Sequence, residues 1–254
     1  MHIVITGASS GIGAALAREL AQMPEARLTL VARRRALLEE LAAELPVPTH
    51  VVSADLSEDD DAWLERAQEA QGPVDVLVNN AGAQVVAPTA AVDVTRGEAS
   101  VRLNLLTPLR LIAKVLPQMT ARGSGHVVNV ASMAALAPTP GMTYYNASKG
   151  GLAAASEALR GELRGSGVSV LTVYPGIIAE TDMATAALSA YESNAALRWQ
   201  PTASAEELAR EVRVSMERRR ARLVFPRVYG ITRWFPTIVR WFMDRFTPRL
   251  TAPA

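Results

Sequence analysis

The chain has no cysteine among its 254 residues. Disulfide bonds, thiolate catalysis and metal sites with cysteine ligands are therefore excluded. The three histidines, His2, His50 and His126, lie far apart without ligand spacing, so no metal site is expected. Lysine is almost missing too, since Lys114 and Lys149 are the only lysines among 26 basic residues. A lysine in a chain that otherwise uses arginine calls for a chemical reason.

Long hydrophobic runs are also lacking. The longest uncharged stretch, residues 123–148, is rich in glycine, proline, serine and asparagine, which does not suit a membrane-spanning helix. Neither a charged leader nor a signal-like hydrophobic region precedes the strand-like run HIVIT at residues 2–6. We therefore expect a cytoplasmic protein. A hydrophobic fraction of 49% supports a full core and argues against disorder.

Short β-branched runs alternate with segments of helical period. The runs cover residues 2–6, 28–32, 50–54, 74–79, 126–131 and 168–174, and helices are predicted near 12–22, 34–45, 58–70, 98–121, 147–164 and 205–220. Near-continuous apolar strands separated by helices predict a parallel sheet with helices on both faces. The fold class is therefore α/β, a doubly wound Rossmann-type sheet. We expect one domain over 1–229, with a last edge strand near 221–226, and a C-terminal helical extension over 230–254.

The first predicted strand runs directly into TGASSGIG, residues 6–13, which opens a helix. Glycines at 7, 11 and 13 allow a tight turn and close approach of the backbone to a diphosphate. The unpaired N–H groups at the helix start then offer that anion a binding site. The alternative is a plain glycine-rich turn between a strand and a helix.

The second predicted strand ends in VARRR, where many NAD-binding sheets place a carboxylate for the adenosine ribose. That position is Ala32 here, followed by Arg33 and Arg34. A guanidinium can hold a 2′-phosphate that a carboxylate would repel. The sequence therefore predicts the phosphorylated cofactor NADP(H). The alternative is that these arginines are only the solvated start of a helix.

The stretch TYYNASKGG, residues 143–151, places Lys149 four residues after Tyr145, on the same face of a helix, whereas Tyr144 points elsewhere. A free phenol has a pKa of about 10, and we expect the neighbouring ammonium and the positive nicotinamide of the oxidised cofactor to lower the pKa of Tyr145. Ser132 follows the fifth strand, where its hydroxyl could orient a substrate carbonyl. Because no His/Asp pair accompanies Ser132, a hydrolase nucleophile is not indicated.

Taken together, these motifs resemble the short-chain dehydrogenase/reductase family over roughly residues 1–226. TGASSGIG, NNAG at 79–82, Ser132 with Tyr145-x-x-x-Lys149, and YPG at 174–176 stand in the family's order and spacing. The resemblance implies that Asn104 is a fourth catalytic residue, which helps to hold a water in a proton relay to Lys149. It also implies Asp55 near the adenine. The cofactor-binding residues expected from the motifs and the resemblance are Gly7, Ser9, Ser10, Gly11, Ile12, Gly13, Arg33, Arg34, Asp55, Leu56, Asn80, Ala81, Gly82, Tyr145, Lys149, Pro175, Gly176, Ile178 and Thr181.

One position departs from the family pattern. The family usually has a threonine four residues after the glycine of the PG motif, where it binds the nicotinamide amide. This sequence has Glu180 there and Thr181 one residue later. Either the loop carries an extra residue or that contact differs.

The function expected is hydride transfer between NADP(H) and a carbonyl or secondary alcohol, with Tyr145 as the general acid/base and Ser132 at the substrate oxygen. The predicted specificity loops, near 83–97, 133–143 and 177–204, contain mostly Ala, Met, Leu and Thr, which favours a small uncharged or apolar substrate. Family members are commonly dimers or tetramers, so a homo-oligomer is expected. The alternatives are an epimerase or dehydratase on the same fold, and a non-catalytic NADP-binding protein or membrane-surface scaffold.

The C-terminal extension is basic and aromatic. From residue 213 onward there are ten arginines and two acidic residues, a net charge of +8, which leaves −7 for the rest. Because the rest of the chain is acidic and contains no known nucleic-acid-binding motif, nucleic-acid binding is not expected. Apolar side chains at helical period lie near one face: Trp234, Phe235, Ile238, Val239, Phe242 and Phe246. This face could pack on the domain or a sister subunit, lie on an anionic membrane surface, or cover a long apolar substrate.

Overall fold

A computed structural model describes residues 1–58, 60–179, 181–189, 191 and 202–246. Its centre is a seven-stranded parallel sheet in the order β3-β2-β1-β4-β5-β6-β9. The strands are β1 His2–Thr6, β2 Arg27–Ala32, β3 Thr49–Ser53, β4 Val74–Asn79, β5 Gly125–Val130, β6 Val168–Pro175 and β9 Arg222–Phe225. A separate parallel pair joins β7 Ile177–Ile178 to β8 Thr202–Ala203.

Helices connect these strands. They are α1 Gly11–Leu20, α2 Arg35–Glu44, α3 Ala62–Gln71, α4 Val94–Val101, α5 Thr107–Ala121, α6 Thr143–Glu162, α7 Asp182–Ser189, α8 Ala205–Glu217, α9 Ile231–Trp234 and α10 Pro236–Phe246. A π-turn, Arg102–Leu106, joins α4 to α5, and 3₁₀ turns lie at Thr89–Ala91, Met133–Ala135 and Arg227–Gly230.

Two apolar cores cover the two faces of the sheet. On one face, side chains of α1, α2 and α8, such as Leu16, Leu38 and Val212, pack on inward residues of β1 and β2. On the other face, α3 and α5 contribute Trp63, Leu111 and others. Both faces of the central strands are therefore covered, which explains why their sequences are continuously apolar.

The predicted fold is confirmed, and the strand ends agree with the predicted ones to within one residue. The helix predicted over 98–121 is instead α4, the π-turn and α5. The helix predicted from residue 58 begins at Ala62, because Asp55 accepts hydrogen bonds from the Ser57 amide and hydroxyl and turns the chain first. Pro236 is the first residue of α10, where its missing N–H removes no helical hydrogen bond.

The sheet order reverses between β1 and β4, which are neighbours although β2 and β3 lie between them in the sequence. Ligands of doubly wound sheets bind outside the carboxyl ends of the strands at such a switch point. A ligand-binding site is therefore expected at the turns after Thr6 and Asn79.

Candidate active site

The glycine-rich turn after β1 is built against the loop after β4. Gly7 has a φ of 67°, and a Cβ there would lie 2.7 Å from the Ala81 Cα. A Cβ on Gly13 would overlap the Gly7 carbonyl oxygen. Only glycine fits these two positions, because the backbone itself occupies the space that a side chain needs.

Asn80 and Thr6 hold this turn together. The Asn80 side-chain amide donates to the carbonyl oxygens of Thr6 (3.0 Å) and Gly7 (3.2 Å). The Thr6 hydroxyl accepts from the amides of Asn80 and Ala81. Asn80, expected along the cofactor, thus also fixes the backbone of the turn, and the contribution of Thr6 is a feature that sequence reasoning missed.

The first turn of α1 is open to an anion. Its N-cap residue, Ser10, accepts no hydrogen bond from a helix N–H, because its hydroxyl accepts from the Arg34 guanidinium instead at 2.6 Å. Arg34 also donates to the Ser9 hydroxyl at 3.1 Å. Unpaired amides at a helix N-terminus with a guanidinium beside them suit a phosphate group. These residues therefore fit a phosphorylated dinucleotide.

Arg33 lies across from Asp55, with 3.8 Å between a guanidinium nitrogen and a carboxylate oxygen. Its side chain is 77% exposed. Hydrogen bonds from the Ser57 hydroxyl and amide hold the pKa of Asp55 below its ordinary value, so its carboxylate stays ionised at neutral pH. Arg33 thus lies beside Asp55, and Arg34 lies beside the serines of the glycine-rich turn.

The predicted catalytic residues meet at the carboxyl ends of β4 and β5. Tyr145 and Lys149 lie on the first two turns of α6, and both are buried. The Lys149 ammonium donates to the Val130 carbonyl oxygen at 2.8 Å. Ser132 caps the 3₁₀ turn after β5, and its hydroxyl accepts from the Ala134 amide. A Cβ placed on Gly82 would lie 3.4 Å from the Lys149 Nζ, so the loop after β4 closes over this group.

Burial sets the pKa values of the Tyr145–Lys149 pair. Desolvation lowers the pKa of Lys149 to about 8. Desolvation also raises the pKa of Tyr145, and a hydrogen bond with Ser132 acts in the opposite direction. The expected lowering of the Tyr145 pKa is therefore wrong for the protein by itself, because loss of water opposes the phenolate. Lysine, unlike arginine, can lose its proton at such a pKa, which makes the rare lysine chemically distinct.

Asn104 lies in the π-turn and is fully buried. Its side chain donates to the Ala83 carbonyl oxygen (2.8 Å) and the Ser148 hydroxyl (3.0 Å), and accepts from the Ala83 amide (2.9 Å). A π-turn interrupts the α-helical hydrogen-bond pattern and is frequent at functional sites. Asn104 thus ties the loop after β4 to α6, one turn from Tyr145.

The sequence matches the short chain dehydrogenase family model over residues 1–192. The chain belongs to the short-chain dehydrogenase family. It is 34% identical to an uncharacterized oxidoreductase of Staphylococcus epidermidis over 177 residues, which are 69% of this chain and 76% of that protein. It is 35% identical to a fatty acyl-CoA reductase of Mycobacterium tuberculosis over 218 residues, which are 80% of this chain and 73% of that protein.

A variant of actinorhodin polyketide ketoreductase, whose crystal structure contains NADPH, has the same fold. The TM-score is 0.80 at 28% identity, covering 88% of this chain and 95% of that one. This chain is therefore an oxidoreductase of the short-chain dehydrogenase family with a Rossmann-type fold.

The loop after β6 departs from the family pattern at Thr181. The Thr181 hydroxyl donates to the Ile178 carbonyl oxygen and accepts from the Ala184 amide, so it caps α7. Its methyl group faces Gly11, 3.3 Å from where a Cβ would be. Glu180 lies outside the described residues. Thr181 thus lies beside the glycine turn, while its hydroxyl is used by the helix cap.

The other residues expected in this part of the site have mainly structural contacts. Pro175 ends β6. The Tyr229 ring packs so closely on Gly176 that a Cβ there would lie 2.6 Å from the ring. Ile178 is buried and pairs with Ala203. Ile12 and Leu56 pack on the two apolar cores. Their predicted roles in binding the cofactor stay predictions.

Several apolar side chains lie near Tyr145, and the sequence predicted their loops but not the individual residues. The Tyr145 phenol contacts the Met183 sulfur at 3.9 Å. Tyr145 also packs with Met142 and Tyr191, and the Tyr191 hydroxyl donates to the Pro140 carbonyl oxygen. The Gln84 amide contacts the Met142 sulfur. These residues come from the three loops expected to set specificity, and we call them the methionine wall.

Two expected absences concern the described residues alone. Across the ranges that the structure covers, no helix is both long and apolar enough to cross a membrane. The same ranges contain no group of acidic, histidine or cysteine side chains suited to hold a metal ion.

Proposed function

We propose that the chain is an NADP(H)-dependent oxidoreductase that transfers hydride between the nicotinamide and a carbonyl or secondary alcohol. The observation that carries this proposal is the assembly of Tyr145, Lys149 and Asn104 in one buried group beside the open start of α1. An acid/base and a dinucleotide cradle at the same sheet edge are what carbonyl reduction requires.

Each residue has a role in the proposed reaction. The bound cofactor supplies the hydride. Tyr145 protonates the carbonyl oxygen during reduction, and the Ser132 hydroxyl hydrogen-bonds to that oxygen and orients it. The Lys149 ammonium stabilises the phenolate that Tyr145 becomes. A pKa of about 8 lets Lys149 return a proton near neutral pH. Asn104 fixes the loop after β4 and helps to hold the water from which Lys149 regains that proton.

Removal of the Tyr145 hydroxyl group tests the proposal that Tyr145 is the general acid/base. Tyr145→Phe should lose about a hundredfold to ten-thousandfold in kcat/KM, since general acid catalysis typically contributes factors of 10²–10⁴. The neighbouring Tyr144→Phe is the matched control and should keep near-native turnover. NADPH consumption measured with a panel of aldehydes and ketones provides the assay. Equal turnover of the two variants would reject the role of Tyr145.

The preference for NADP(H) rests on Arg33 and Arg34. The NADPH complex of the polyketide ketoreductase supports the same cofactor class for this fold. A fluorescence titration of the purified protein with NADPH and NADH tests the proposal. Arg34→Ala should weaken NADPH about tenfold or more and leave NADH nearly unchanged, because a charge-assisted hydrogen bond to phosphate is lost. Arg35→Ala, whose guanidinium pairs with Glu39, is the control. Preference for NADH would overturn the arginine argument.

We propose an uncharged, apolar substrate of small to moderate size. The methionine wall offers apolar and polarisable surface next to Tyr145, and sulfur side chains adapt to varied shapes. The M. tuberculosis relative is named as a fatty acyl-CoA reductase, which is consistent with an aliphatic group beside the reacting carbon. Turnover should therefore rise with aliphatic chain length across a ketone or aldehyde series, and a charged series should show no such rise.

We further propose that the C-terminal segment after Tyr229 contacts an anionic membrane surface. Trp234, Phe235, Ile238 and Trp241 are 76%, 52%, 55% and 60% exposed, so more than half of the surface of each residue is accessible to solvent. The segment also carries Arg240 and Arg245 on exposed positions. Aromatic and basic side chains together suit the interface of anionic lipid.

Vesicle flotation with the full chain tests this proposal. The protein should float with vesicles that contain phosphatidylglycerol, and Trp241→Ser should reduce the floating fraction. Val94→Ser, at an exposed apolar residue of α4, is the control and should not change it. A homo-oligomer remains part of the proposal. If Trp241→Ser changes the mass in light scattering and not the flotation, the exposed face instead serves subunit contact.

A further inference from the structure

Thr107 makes two contacts that join distant parts of the proposed site. Its backbone N–H donates to the Arg102 carbonyl oxygen, which closes the π-turn around Asn104. Its hydroxyl donates to the Leu56 carbonyl oxygen at 2.6 Å, in the loop that follows β3. Thr107 is almost fully buried. One residue therefore holds both the turn of a proposed catalytic residue and the loop expected beside the adenine.

Helix α5, which begins at Thr107, makes further contacts with the chain between β3 and α3. The Arg110 guanidinium donates to the Glu58 carbonyl oxygen at 2.8 Å and lies 2.6 Å from the Asp61 carboxylate. The Lys114 ammonium lies 3.6 Å from the same carboxylate, which is buried. The start of α5 and the chain between β3 and α3 are thus tied by one buried hydrogen bond and by two ion pairs that the buried Asp61 makes with partly exposed basic side chains.

The loop after β3 is also the one that the family resemblance places near the adenine of the cofactor. Asp55 and Leu56 are adjacent, and Asp55 is fixed by Ser57 and faces Arg33. A ligand that orders Asp55 and Leu56 must also order the Leu56 carbonyl group, and through it the Thr107 hydroxyl. Because the N–H of Thr107 closes the π-turn, this ordering reaches Asn104 without any contact between Asn104 and the adenosine.

We propose that Thr107 is a positioning residue that couples binding of the adenosine half of the cofactor to the geometry of Asn104. This inference rests on the proposed function, since it needs the cofactor to lie along the strand ends. It adds that the adenosine half acts on the distant acid/base group as well as contributing affinity. By linkage, a fixed π-turn then favours adenosine binding to the same degree.

Hydrogen exchange with a cofactor fragment tests the coupling. Adenosine 2′,5′-bisphosphate carries the adenosine half and no nicotinamide. Its addition to the full-length protein should slow amide exchange in peptides that cover residues 102–107, as well as in those that cover 54–58. In Thr107→Val, which keeps the shape and loses the hydroxyl, the fragment should still protect 54–58 and leave 102–107 unchanged. Thr107→Ser keeps the hydroxyl and should behave like the wild type.

Thr120→Val is the matched control on α5. The Thr120 hydroxyl also donates to a backbone carbonyl oxygen, that of Leu116, but within its own helix and at an exposed position. This variant should keep the protection of 102–107. Equal protection of 102–107 in wild type and Thr107→Val would overturn the coupling, and so would a wild type that binds the fragment without protecting 102–107.

Kinetics separate coupling from simple structural support. Thr107→Val should lower kcat and raise KM about tenfold with NADPH, and change both much less with reduced nicotinamide mononucleotide, which lacks the adenosine. Equal losses of kcat with both cofactors would show that Thr107 only supports the turn, and an increase of KM alone would show that it only binds; either result overturns the proposal. If neither NADPH nor the fragment binds the wild type, the proposed function itself fails.

Discussion

Burial of Lys149 should make the stability of the protein depend on pH in an unusual direction. The pKa of this ammonium is about 8 in the folded protein, against an ordinary value of 10.5 in an unfolded chain. Between these values the unfolded chain holds more protons than the folded one, so stability rises with pH. Below pH 8 the buried charge costs about 3 kcal/mol, and this cost is relieved as the pH rises toward 10.5.

The difference between wild type and Lys149→Met isolates this effect. The lost hydrogen bond to Val130 and the changed packing contribute equally at every pH, and the other titrating groups cancel. The free energy of unfolding of wild type relative to Lys149→Met should therefore rise by about 1 kcal/mol from pH 7 to 9, and by about 2.5 kcal/mol by pH 10.

Urea unfolding of both proteins at a series of pH values provides the measurement, with Lys114→Met as the control. The Lys114 side chain is 40% exposed, so Lys114→Met removes an amine that is not buried. A flat difference for Lys149→Met would show that the amine keeps its water and that its pKa is ordinary. A fall with rising pH would show that the folded protein stabilises the charge. Either result would refute the reasoning.

Three further predictions concern the framework of the site. Gly13→Ala should destabilise the protein by several kcal/mol in urea unfolding, since its Cβ would overlap Gly7, whereas Gly161→Ala, with open space around it, should stabilise α6 by up to about 1 kcal/mol. Ser204→Ala should cost about 1 kcal/mol, because Ser204 and Glu207 form a capping box at the start of α8; Thr202→Ala, outside the box, should cost less. Met183→Ala should raise kcat/KM for bulky ketones relative to small ones, because the Met183 sulfur lies against the Tyr145 phenol, and an unchanged ratio would exclude Met183 from the pocket.

The architecture and the Tyr145–Lys149 pair could be predicted because they are governed by short-range rules. Continuously apolar strands and helices of period 3.6 determine the layers. Residues four apart on a helix share a face wherever the helix lies. Roles for Ser132, Tyr145 and Lys149 in the reaction stay predictions.

The π-turn could not be predicted in the same way. It adds one residue to a helical turn within RLNLL, residues 102–106, which contains no glycine or proline to mark an interruption, so a continuous helix was expected. Asn104 was identified through the family resemblance and not from its own surroundings. Its partners, Ala83 and Ser148, lie 21 and 44 residues away in sequence.

Two other differences have physical causes. The pKa of Tyr145 was expected to fall because the positive charges of Lys149 and the oxidised nicotinamide were considered without the loss of water, which raises the pKa of Tyr145 in the protein alone. The sequence left open whether the aromatic face of the C-terminal segment contacts the domain, a sister subunit, a membrane surface or the substrate, and Trp234 and Trp241 are 76% and 60% exposed in the single chain. A helical period identifies an apolar face, and it does not identify what that face will contact.

The scarcity of lysine gives this protein a built-in label for unfolding. In the folded chain, an amine-reactive reagent can reach the N-terminus and Lys114, while Lys149 is shielded beneath the loop after β4. At pH 8 about half of the Lys149 amines are uncharged, the form that acylating reagents attack. Acylation of Lys149 therefore requires that the site open. The amount of the acylated Lys149 peptide in a mass spectrum would then measure how often the centre of this molecule becomes accessible. Cofactor binding would lower that amount.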